Sequence, residues 1–413
     1  MNKLNHTEPP PPPGLARAQE IILYQIKGAT PELLPLAQIN GRVLAKAVKT
    51  PAPIPAFNQS LMDGYAVCDQ EIWPGTSLAV IGEVAAGDWP NLDLKPGHTL
   101  RVYTGAYLPK GTRQVIPMES VMEDNDTALI RNLNRRDFIK KAGSEFRKGQ
   151  VIGRQGREVT PEHAALLARA GIAELEVAAK PMVHVLCTGS ELRSLGEHGP
   201  IGTKTNVNSV QLEMLIADAG GQSSTTTCPD DRDAIDRALT AIQKDPAWQK
   251  EAQPLLLTTG GLGPGKYDLV EAALTKIGTE ILFNGIKAKP GQRCLFGRLG
   301  HGLIISLPGP PPAVHTLFNA LVRPALAKGL GYHHPKLQRV EATLVEPITV
   351  QQPGLKILKP GLLSAKHGQL TVRPVKPLET ANVIIPVPAK LRHLAVGTSI
   401  NVHVISRFQT EIT

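Results

Sequence analysis

The stretch LLLTTGGLGPGKYDLVEAAL, residues 255–274, decides the fold. Its apolar run at 255–257 is typical of a buried strand, a glycine-rich turn follows, and apolar residues at helical spacing resume at Leu269. A strand, a turn and a helix in this order indicate a βα unit of a parallel sheet. Asp268 stands at the predicted helix entrance, beside a turn whose backbone N–H groups can face an anion.

Further βα units flank this stretch on both sides. Four of the five predicted strands run into glycine, aspartate or proline before a predicted helix. The chain therefore predicts a three-layer, parallel α/β domain. Its other predicted elements are a strand at 183–186, helices at 208–220 and 312–328, a polar strand at 222–228, a helix opened by Asp230 or Asp231, and strands at 281–283 and 303–308.

The remaining chain indicates other kinds of structure. A proline-rich arm at the start predicts disorder, and apolar spacing predicts helices near 15–27 and 31–46. Short alternating runs from about 52 to 140 predict a small β domain, and the chain is again β-like from about 335. Thr160 and Pro161 predict a helix start, with Gly171 at its end.

Composition limits the possible functions. A chain of 413 residues predicts two to four domains, and its four cysteines lack the spacing of a zinc site. Neither a membrane span nor a signal peptide is indicated, so a cytoplasmic location without membrane contact is expected. The net charge of +9 fits an anionic partner or a solvated basic surface. Scattered basic residues and few aromatics argue against nucleic acid.

Four segments whose residues could bind a ligand follow predicted strands. Ligands of parallel sheets lie beyond the carboxyl ends of the strands, where glycine loops and helix N-termini can hold phosphate. Carboxylates there can bind a hydrated Mg²⁺ that bridges to phosphate oxygens. Each feature alone also has a structural interpretation as a turn, a helix cap or a solvated side chain. The segments are 188–191, 230–231, 260–268 and 308–309.

A cationic turn and a polar turn complete the candidates. Lys287, Lys289 and Arg293 surround Pro290-Gly291, where they either neutralise an oxyanion or form an exposed basic turn. The glycine loop lacks the GK[ST] ending of a P-loop. PAFNQSLMDGYAV at 55–67 places Asp63 beside a serine and two amides, in what composition alone describes as a polar turn.

These residues resemble the molybdopterin molybdenumtransferases, the family of the gephyrin C-terminal domain. FNQSLMDGYAV at 57–67 is similar to the family's FDNSAMDGYA, and RVYTGAYLPKG at 101–111 to its TGA-x-x-P-x-G segment. CTGSEL at 187–192, the predicted helix at Asn208, PDD at 229–231, the opening stretch at 255–274, KPG at 289–291 and LPGPP at 307–311 follow in family order.

The resemblance implies an architecture and a reaction. After the predicted disordered arm (1–14), the implied parts are an elongated N-terminal domain (15–51 plus 141–180), an inserted β domain (52–140), an α/β molybdopterin-binding domain (181–330) and a C-terminal β-barrel (335–413). The implied reaction transfers molybdate to adenylylated molybdopterin with Mg²⁺ and releases AMP. A homodimer is implied, with a molybdopterin adenylyltransferase or a molybdoenzyme as a further partner.

The resemblance also assigns roles residue by residue. The implied catalytic residues are Asp63, Glu191, Asp230, Asp268 and Lys289, with Asp230 and Asp268 as metal ligands. The implied cofactor-binding residues are Ser60, Thr188, Gly189, Gly260, Gly261, Gly263, Arg293, Pro308, Gly309 and Pro311.

Several positions depart from the family pattern, among them Asn58, Gln59, Ser190 and Gln292. These departures motivate a second hypothesis, a catalytically weak paralogue that binds the pterin or finished cofactor and delivers it to a client enzyme. A third hypothesis, adenylyl transfer, rests on GGLGP at 260–264, which resembles the loop of the adenylyltransferases.

Overall fold

The computed structural model of the chain describes residues 11–89, 92–262, 269–366 and 368–405. Helix α1 (Leu15–Gln25) confirms the first predicted helix. The predicted helix at 31–46 is wrong, because strand β1 (Pro31–Pro35) and a short 3₁₀ turn (Leu36–Gln38) occupy it. Prolines at both ends of β1 remove N–H donors that a helix interior requires. The short strands β2 (Val48–Lys49) and β3 (Gln59–Ser60) follow.

The predicted β-rich segment between residues 52 and 140 forms a six-stranded sheet. Its strand order is β7-β4-β6-β5-β9-β8, and its buried side chains form clusters of their own. The strands are β4 (Gly64–Val67), β5 (Ser77–Val84), β6 (His98–Val102), β7 (Gln114–Pro117), β8 (Val121–Asp124) and β9 (Thr127–Ile130).

The chain then returns antiparallel to its outgoing path. Strand β10 (Ile139–Lys140) pairs with β3, and β11 (Val151–Gly153) pairs with β2. Helix α2 (Pro161–Arg169) begins as predicted, since the Thr160 side chain accepts a hydrogen bond from the His163 N–H. Strand β12 (Glu174–Ala178) pairs with β1 and closes this elongated segment.

The α/β part contains a six-stranded sheet in the order β16-β13-β17-β21-β20-β18. The first four strands are parallel, as predicted, whereas β20 and β18 are antiparallel to their neighbours. A two-residue hairpin joins β20 to β21, and such a turn connects only antiparallel strands. The elements are β13 (Met182–Thr188), β14 (Leu192–Arg193), β15 (Lys204–Thr205), α3 (Val207–Asp218), β16 (Gln222–Cys228), α4 (Arg232–Lys244), α5 (Pro246–Lys250), β17 (Leu255–Thr259), α6 (Val270–Lys276), β18 (Glu280–Asn284), β19 (Ala288–Lys289), β20 (Leu295–Leu299) and β21 (Gly302–Leu307).

Helices cover both faces of this sheet and give the predicted three layers. Alternate residues of β17 enter different cores: Leu255 and Leu257 pack on one side, Leu256 on the other. Helices α1, α3, α7 (Pro311–Leu317) and α8 (Arg323–Gly329) contribute to the first core, and α4, α5 and α6 to the second. The predicted helix at 312–328 is one run in which a π-helical turn (Phe318–Val322) joins α7 to α8.

The C-terminal part is a closed barrel of five strands. Strand β24 pairs with both β25 and β26, and the pairs β25–β22, β22–β28 and β28–β26 complete the ring. Closure leaves none of the five strands with an open edge in the ring. The strands of this part are β22 (Arg339–Leu344), β23 (Ile348–Thr349), β24 (Lys356–Lys366), β25 (Gln369–Pro374), β26 (Val383–Val387), β27 (His393–Leu394) and β28 (Ser399–Val404). In the described ranges, no helix is long and apolar enough to cross a membrane.

Candidate functional site

The carboxyl ends of four parallel strands lie side by side at one edge of the α/β sheet. Thr188 at the end of β13 is in register with Cys228 of β16, and Thr259 of β17 is in register with Cys187 and Leu307. All four candidate segments therefore leave the sheet at this edge, which we call the carboxyl edge. The predicted arrangement places backbone turns and carboxylates where parallel sheets bind ligands.

Ser190 and Asp230 join the ends of β13 and β16. The Asp230 N–H donates to Ser190 Oγ at 3.0 Å, and the Ser190 N–H donates to Asp230 Oδ2 at 3.4 Å. Asp231 is the N-cap of α4, where its carboxylate accepts from the Ala234 N–H at 2.9 Å. The neighbouring carboxylates thus differ: that of Asp231 caps the helix, and that of Asp230 faces the loop after β13.

The glycine turn after β17 approaches the end of β13 closely. Gly260 has φ +94°, and a Cβ built there would lie 2.5 Å from the Thr188 carbonyl oxygen. Gly261 has φ +60°, and its carbonyl accepts from the Val270 N–H at the start of α6. Glycine is therefore required at 260 by both conformation and space. Gly263 and Asp268 lie outside the described residues.

Asn208 on the first turn of α3 ties two of the loops together, and sequence reasoning assigned it no role. Its Nδ2 donates to Thr259 Oγ1 and to the Gly309 carbonyl, both at 2.8 Å. Its Oδ1 is buried and accepts no hydrogen bond from the residues that the structure describes. The sequence signals are the place of this helix in the family order and the pair of asparagines in TNVNS, of which Asn206 is the cap of α3.

The proline loop after β21 meets the glycine turn. A Cβ on Gly309 would lie 3.7 Å from Gly260 Cα, so the two backbones are neighbours. Pro311 is the first residue of α7, and Pro308 precedes the glycine. These residues therefore form one wall of the carboxyl edge together with Asn208.

The cationic turn leaves the sheet at the same edge. It connects the end of β18 to the start of β20, and Leu295 of β20 lies opposite Ser306 of β21. Lys287, Lys289 and Arg293 are exposed, and no ion pair joins them to another described residue. Lys289 also lies in β19, which pairs with β24 of the barrel. Barrel and sheet thus both position this cation.

Glu191 is half-buried in the loop after β13. Its Oε2 lies so close to Gly189 that a Cβ built on this glycine would be 2.9 Å from it.

Burial raises the pKa of the Cys187 and Cys228 thiols to about 11. Both thiols are therefore protonated at neutral pH, and neither is suited to nucleophilic attack.

Asp63 and Ser60 belong to the polar turn of the inserted sheet. One Asp63 oxygen, Oδ1, accepts from the Thr104 N–H at 2.7 Å and from Thr104 Oγ1 at 2.8 Å, and these bonds lower the pKa of its carboxyl. Ser60 is buried, and its hydroxyl donates to the Met62 carbonyl at 2.5 Å. Among described residues, no hydrogen bond joins 52–140 to 181–330.

A cavity of about 970 Å³ lies elsewhere in the chain. Its lining includes the end of α3 at Asp218 and Gly220, next to the start of β16, together with Arg42, Lys180 and Arg323. The end of α3 lies at the amino edge of the sheet, opposite to the candidate site. None of the predicted site residues lines this cavity.

A magnesium ion would find oxygen donors at the carboxyl edge. In the described part of the chain, no group of three His, Cys, Asp or Glu side chains could hold a metal ion. Mg²⁺ often takes only one or two protein carboxylates and completes its shell with water and substrate phosphates. The Asp230 carboxylate and the buried Asn208 Oδ1 are hard oxygen donors of the kind it prefers. The donor set therefore fits Mg²⁺ bound jointly with a phosphate ligand.

Two family descriptions match the chain. "MoeA N-terminal region (domain I and II)" matches residues 14–171, and "Probable molybdopterin binding domain" matches residues 184–328. A relative from Haemophilus influenzae named molybdopterin molybdenumtransferase is 31% identical, over 76% of this chain and 77% of the relative. Molybdopterin molybdenumtransferase 2 of Mycobacterium tuberculosis is 28% identical, over 93% of this chain and 97% of the relative.

Solved structures agree on the fold. A molybdopterin biosynthesis MoeA protein from Pyrococcus horikoshii superposes with a TM-score of 0.73 at 26% identity, covering 95% of this chain and 99% of that one. Another structure of a protein with that description, also from a Pyrococcus species, has a TM-score of 0.83 at 24% identity and covers 96% and 99%. The similarity therefore extends over nearly the whole described architecture.

Proposed function

This chain belongs to the molybdopterin molybdenumtransferase family, and we propose on that premise that it inserts molybdate into adenylylated molybdopterin and releases AMP. The observation that supports the proposal most is the network at the carboxyl edge, where Asn208, Thr259 and Gly309 join the loops of three elements. The names of the relatives favour this activity over delivery of a finished cofactor.

The substrates are anions, and the proposed roles follow from their charge. Molybdate is a dianion and the adenylylated pterin contains a pyrophosphate, so both need cations and N–H donors. Lys289 would position molybdate, with Arg293 beside it, and the turn at Gly260-Gly261 would admit a phosphate close to the backbone. Thr188 and Gly189 would line the same loop, facing the wall formed by Pro308, Gly309 and Pro311.

The acidic residues would have different tasks. Asp230 and Asp268 would hold Mg²⁺, which when bound would polarise the phosphoanhydride and stabilise the departing AMP. Glu191 and Asp63 would orient donors of the substrate, and Ser60 would shape the turn that carries Asp63. We also propose the domain boundaries given above, with the elongated segment built from 15–51 and 141–180.

The direct test is AMP release from adenylylated molybdopterin in the presence of molybdate and Mg²⁺. We expect release above the protein-free rate that requires both molybdate and the divalent cation. Asp230→Asn keeps the side-chain shape and removes the charge, so it should lower this rate by at least tenfold. Release no faster than without protein, at saturating substrate, would rule out the enzymatic function.

We further propose a homodimer in which Asp63 of one chain completes the carboxyl edge of the other. Within one chain, no hydrogen bond among described residues links the turn of Asp63 to the α/β sheet. A long segment with a small core also gains most by packing against a second copy around a two-fold axis.

Complementation tests the shared site. Asp63→Ala and Asp230→Ala proteins are unfolded together and refolded, so that about half of the molecules become heterodimers. One of the two shared sites in each heterodimer then contains neither substitution, and activity should recover towards one quarter of wild type. A mixture as inactive as its two parents, beside an active wild type, would place the complete site within one chain.

A further inference from the structure

Three aromatic rings form a partly exposed cluster in loops of the β-rich segment 52–140, which we call the aromatic triad. Phe57, Trp89 and Tyr107 contact one another edge to face, with ring centroids 4.4 Å, 5.7 Å and 5.8 Å apart. Phe57 is 47% exposed and Trp89 is 56% exposed. Aromatic residues are only 4% of this chain, so three of them together at the surface stand out. Such exposed apolar groups often mark a binding site.

Backbone contacts hold two rings of the aromatic triad next to the polar turn of Asp63. Phe57 is the third residue of that turn, and the next residue, Asn58, accepts through its carbonyl from the Leu108 N–H at 2.8 Å. Gln59 forms a backbone bridge with Tyr107. The backbone therefore holds Phe57 and Tyr107 next to the turn, and Trp89 packs against both of these rings.

The other flank of the same turn is strongly basic. The segment 131–157 contains nine Lys and Arg residues and two acidic residues, a net charge of +7 in a chain whose total is +9. Its strand β10 pairs with Gln59 and Ser60, and the Ala142 N–H donates to Asn58 Oδ1 at 2.9 Å. Exposed Arg135, Arg136 and Lys141 form no ion pair with any described residue. The turn thus lies between apolar rings and uncompensated cations.

We propose that this turn recognises a planar nitrogen heterocycle that carries a phosphate group, with the aromatic triad stacking on the ring and the basic flank attracting the phosphates. The combination fits charge and shape together, because a phosphate alone needs no aromatic rings and a neutral ring needs no cations. This inference rests on the proposed function, since the adenine and the pterin of the substrate are both such rings. It makes Trp89 and Tyr107 specificity residues.

Tryptophan fluorescence tests the ring contact directly. The chain has three tryptophans: Trp89, the 62%-exposed Trp73, and Trp248, which is 3% exposed. In a Trp73→Phe background, Trp89 is the only exposed one, so its emission reports stacking. AMP is titrated against the full-length protein, and ribose 5-phosphate is the control that has the phosphate without the ring. Molybdopterin is titrated separately.

Quenching by AMP but not by ribose 5-phosphate would assign the aromatic triad to adenine. Quenching by molybdopterin but not by AMP would assign it to the pterin, and both results support the proposal. If neither ring changes the emission, or if ribose 5-phosphate quenches as strongly as AMP, the aromatic triad does not bind a ring. Iodide should quench Trp89 in the free protein, and protection without ligand would equally overturn the proposal.

Substitutions separate recognition from folding. Stacking of a base on an aromatic side chain contributes about 1–3 kcal/mol, so Trp89→Ala should raise KM for adenylylated molybdopterin by about 5- to 150-fold with little change in kcat. Trp89→Phe should restore most of the affinity. Trp73→Ala, at an equally exposed tryptophan of the same β-rich segment outside the aromatic triad, should leave KM unchanged. Equal effects of Trp89→Ala and Trp73→Ala would contradict the inference.

The two proposals can fail separately. The AMP titration needs no turnover, so it decides the ring contact even if AMP release is never observed. Conversely, wild-type turnover with an unchanged KM in Trp89→Ala would leave the enzymatic function intact and reject the aromatic triad as a specificity element.

Discussion

Substituting Gly260 by alanine should destabilise the α/β part more than a matched glycine substitution. At φ +94°, the new Cβ would lie 2.5 Å from the Thr188 carbonyl oxygen and 2.8 Å from its hydroxyl. The left-handed conformation costs roughly 1–2 kcal/mol, and overpacking against backbone adds about 1–3 kcal/mol. We therefore expect a loss of about 2–5 kcal/mol in the free energy of unfolding.

Gly278 provides the control. It has φ +84°, after the end of α6, and a Cβ there would meet nothing within 4 Å. Gly278→Ala should therefore show only the conformational cost of roughly 1–2 kcal/mol. The difference between the two variants in the free energy of unfolding therefore measures the cost of the steric contact between the new Cβ at 260 and β13.

Denaturant unfolding followed by the emission of Trp248 measures this difference. Trp248 is buried in the second core of the α/β sheet, and replacing Trp73 and Trp89 by phenylalanine removes the other two signals. AMP release should fall in Gly260→Ala and persist in Gly278→Ala. If both variants lose equal stability and activity, the glycine turn does not contact β13 closely, and the assignment of this turn to the functional site is wrong.

Three further predictions concern separate parts of the chain. Asn208→Ala leaves the Gly309 carbonyl without its donor, and should cost about 1–3 kcal/mol in unfolding experiments and reduce AMP release. Lys289→Met should raise KM for molybdate about tenfold or more without changing the unfolding midpoint, because it removes an exposed cation. Burial and the nearby Arg339 lower the pKa of His403 to about 4. As the pH falls from 6.5 to 4, the unfolded chain therefore binds the proton before the folded chain does, and the free energy of unfolding should decrease. His403→Gln should lose less stability over that range.

Local patterns predicted the elements that surround the carboxyl edge. The glycine turn, the acidic helix start and the proline loop each follow an apolar run, so the sequence itself shows where the strands end. The helix predicted at 31–46 failed because its apolar spacing arises from a strand and isolated bridges, with Val43 and Leu44 paired to distant residues. Spacing within a short window does not reveal such partners.

Asn208 shows why the site could not be completed from sequence. Its two hydrogen-bond partners are 51 and 101 residues away along the chain. Only the order of strands in the sheet brings β17 and β21 to the start of α3, and that order is a property of the fold. An asparagine after a helix cap is otherwise an ordinary surface residue.

The organisation of the cores explains why Asp63 requires a separate experiment. The buried residues of the inserted sheet form clusters that contain only residues of that sheet and its loops, whereas α1 and barrel residues such as Leu358 join the main α/β core. Packing therefore ties the barrel and the α/β sheet together, but these clusters do not tie the turn of Asp63 to the carboxyl edge. In the proposed homodimer, the carboxyl edge of the second chain faces this turn and fixes its position relative to the site. The complementation experiment therefore tests whether the turn of Asp63 and the carboxyl edge of a second chain form one site.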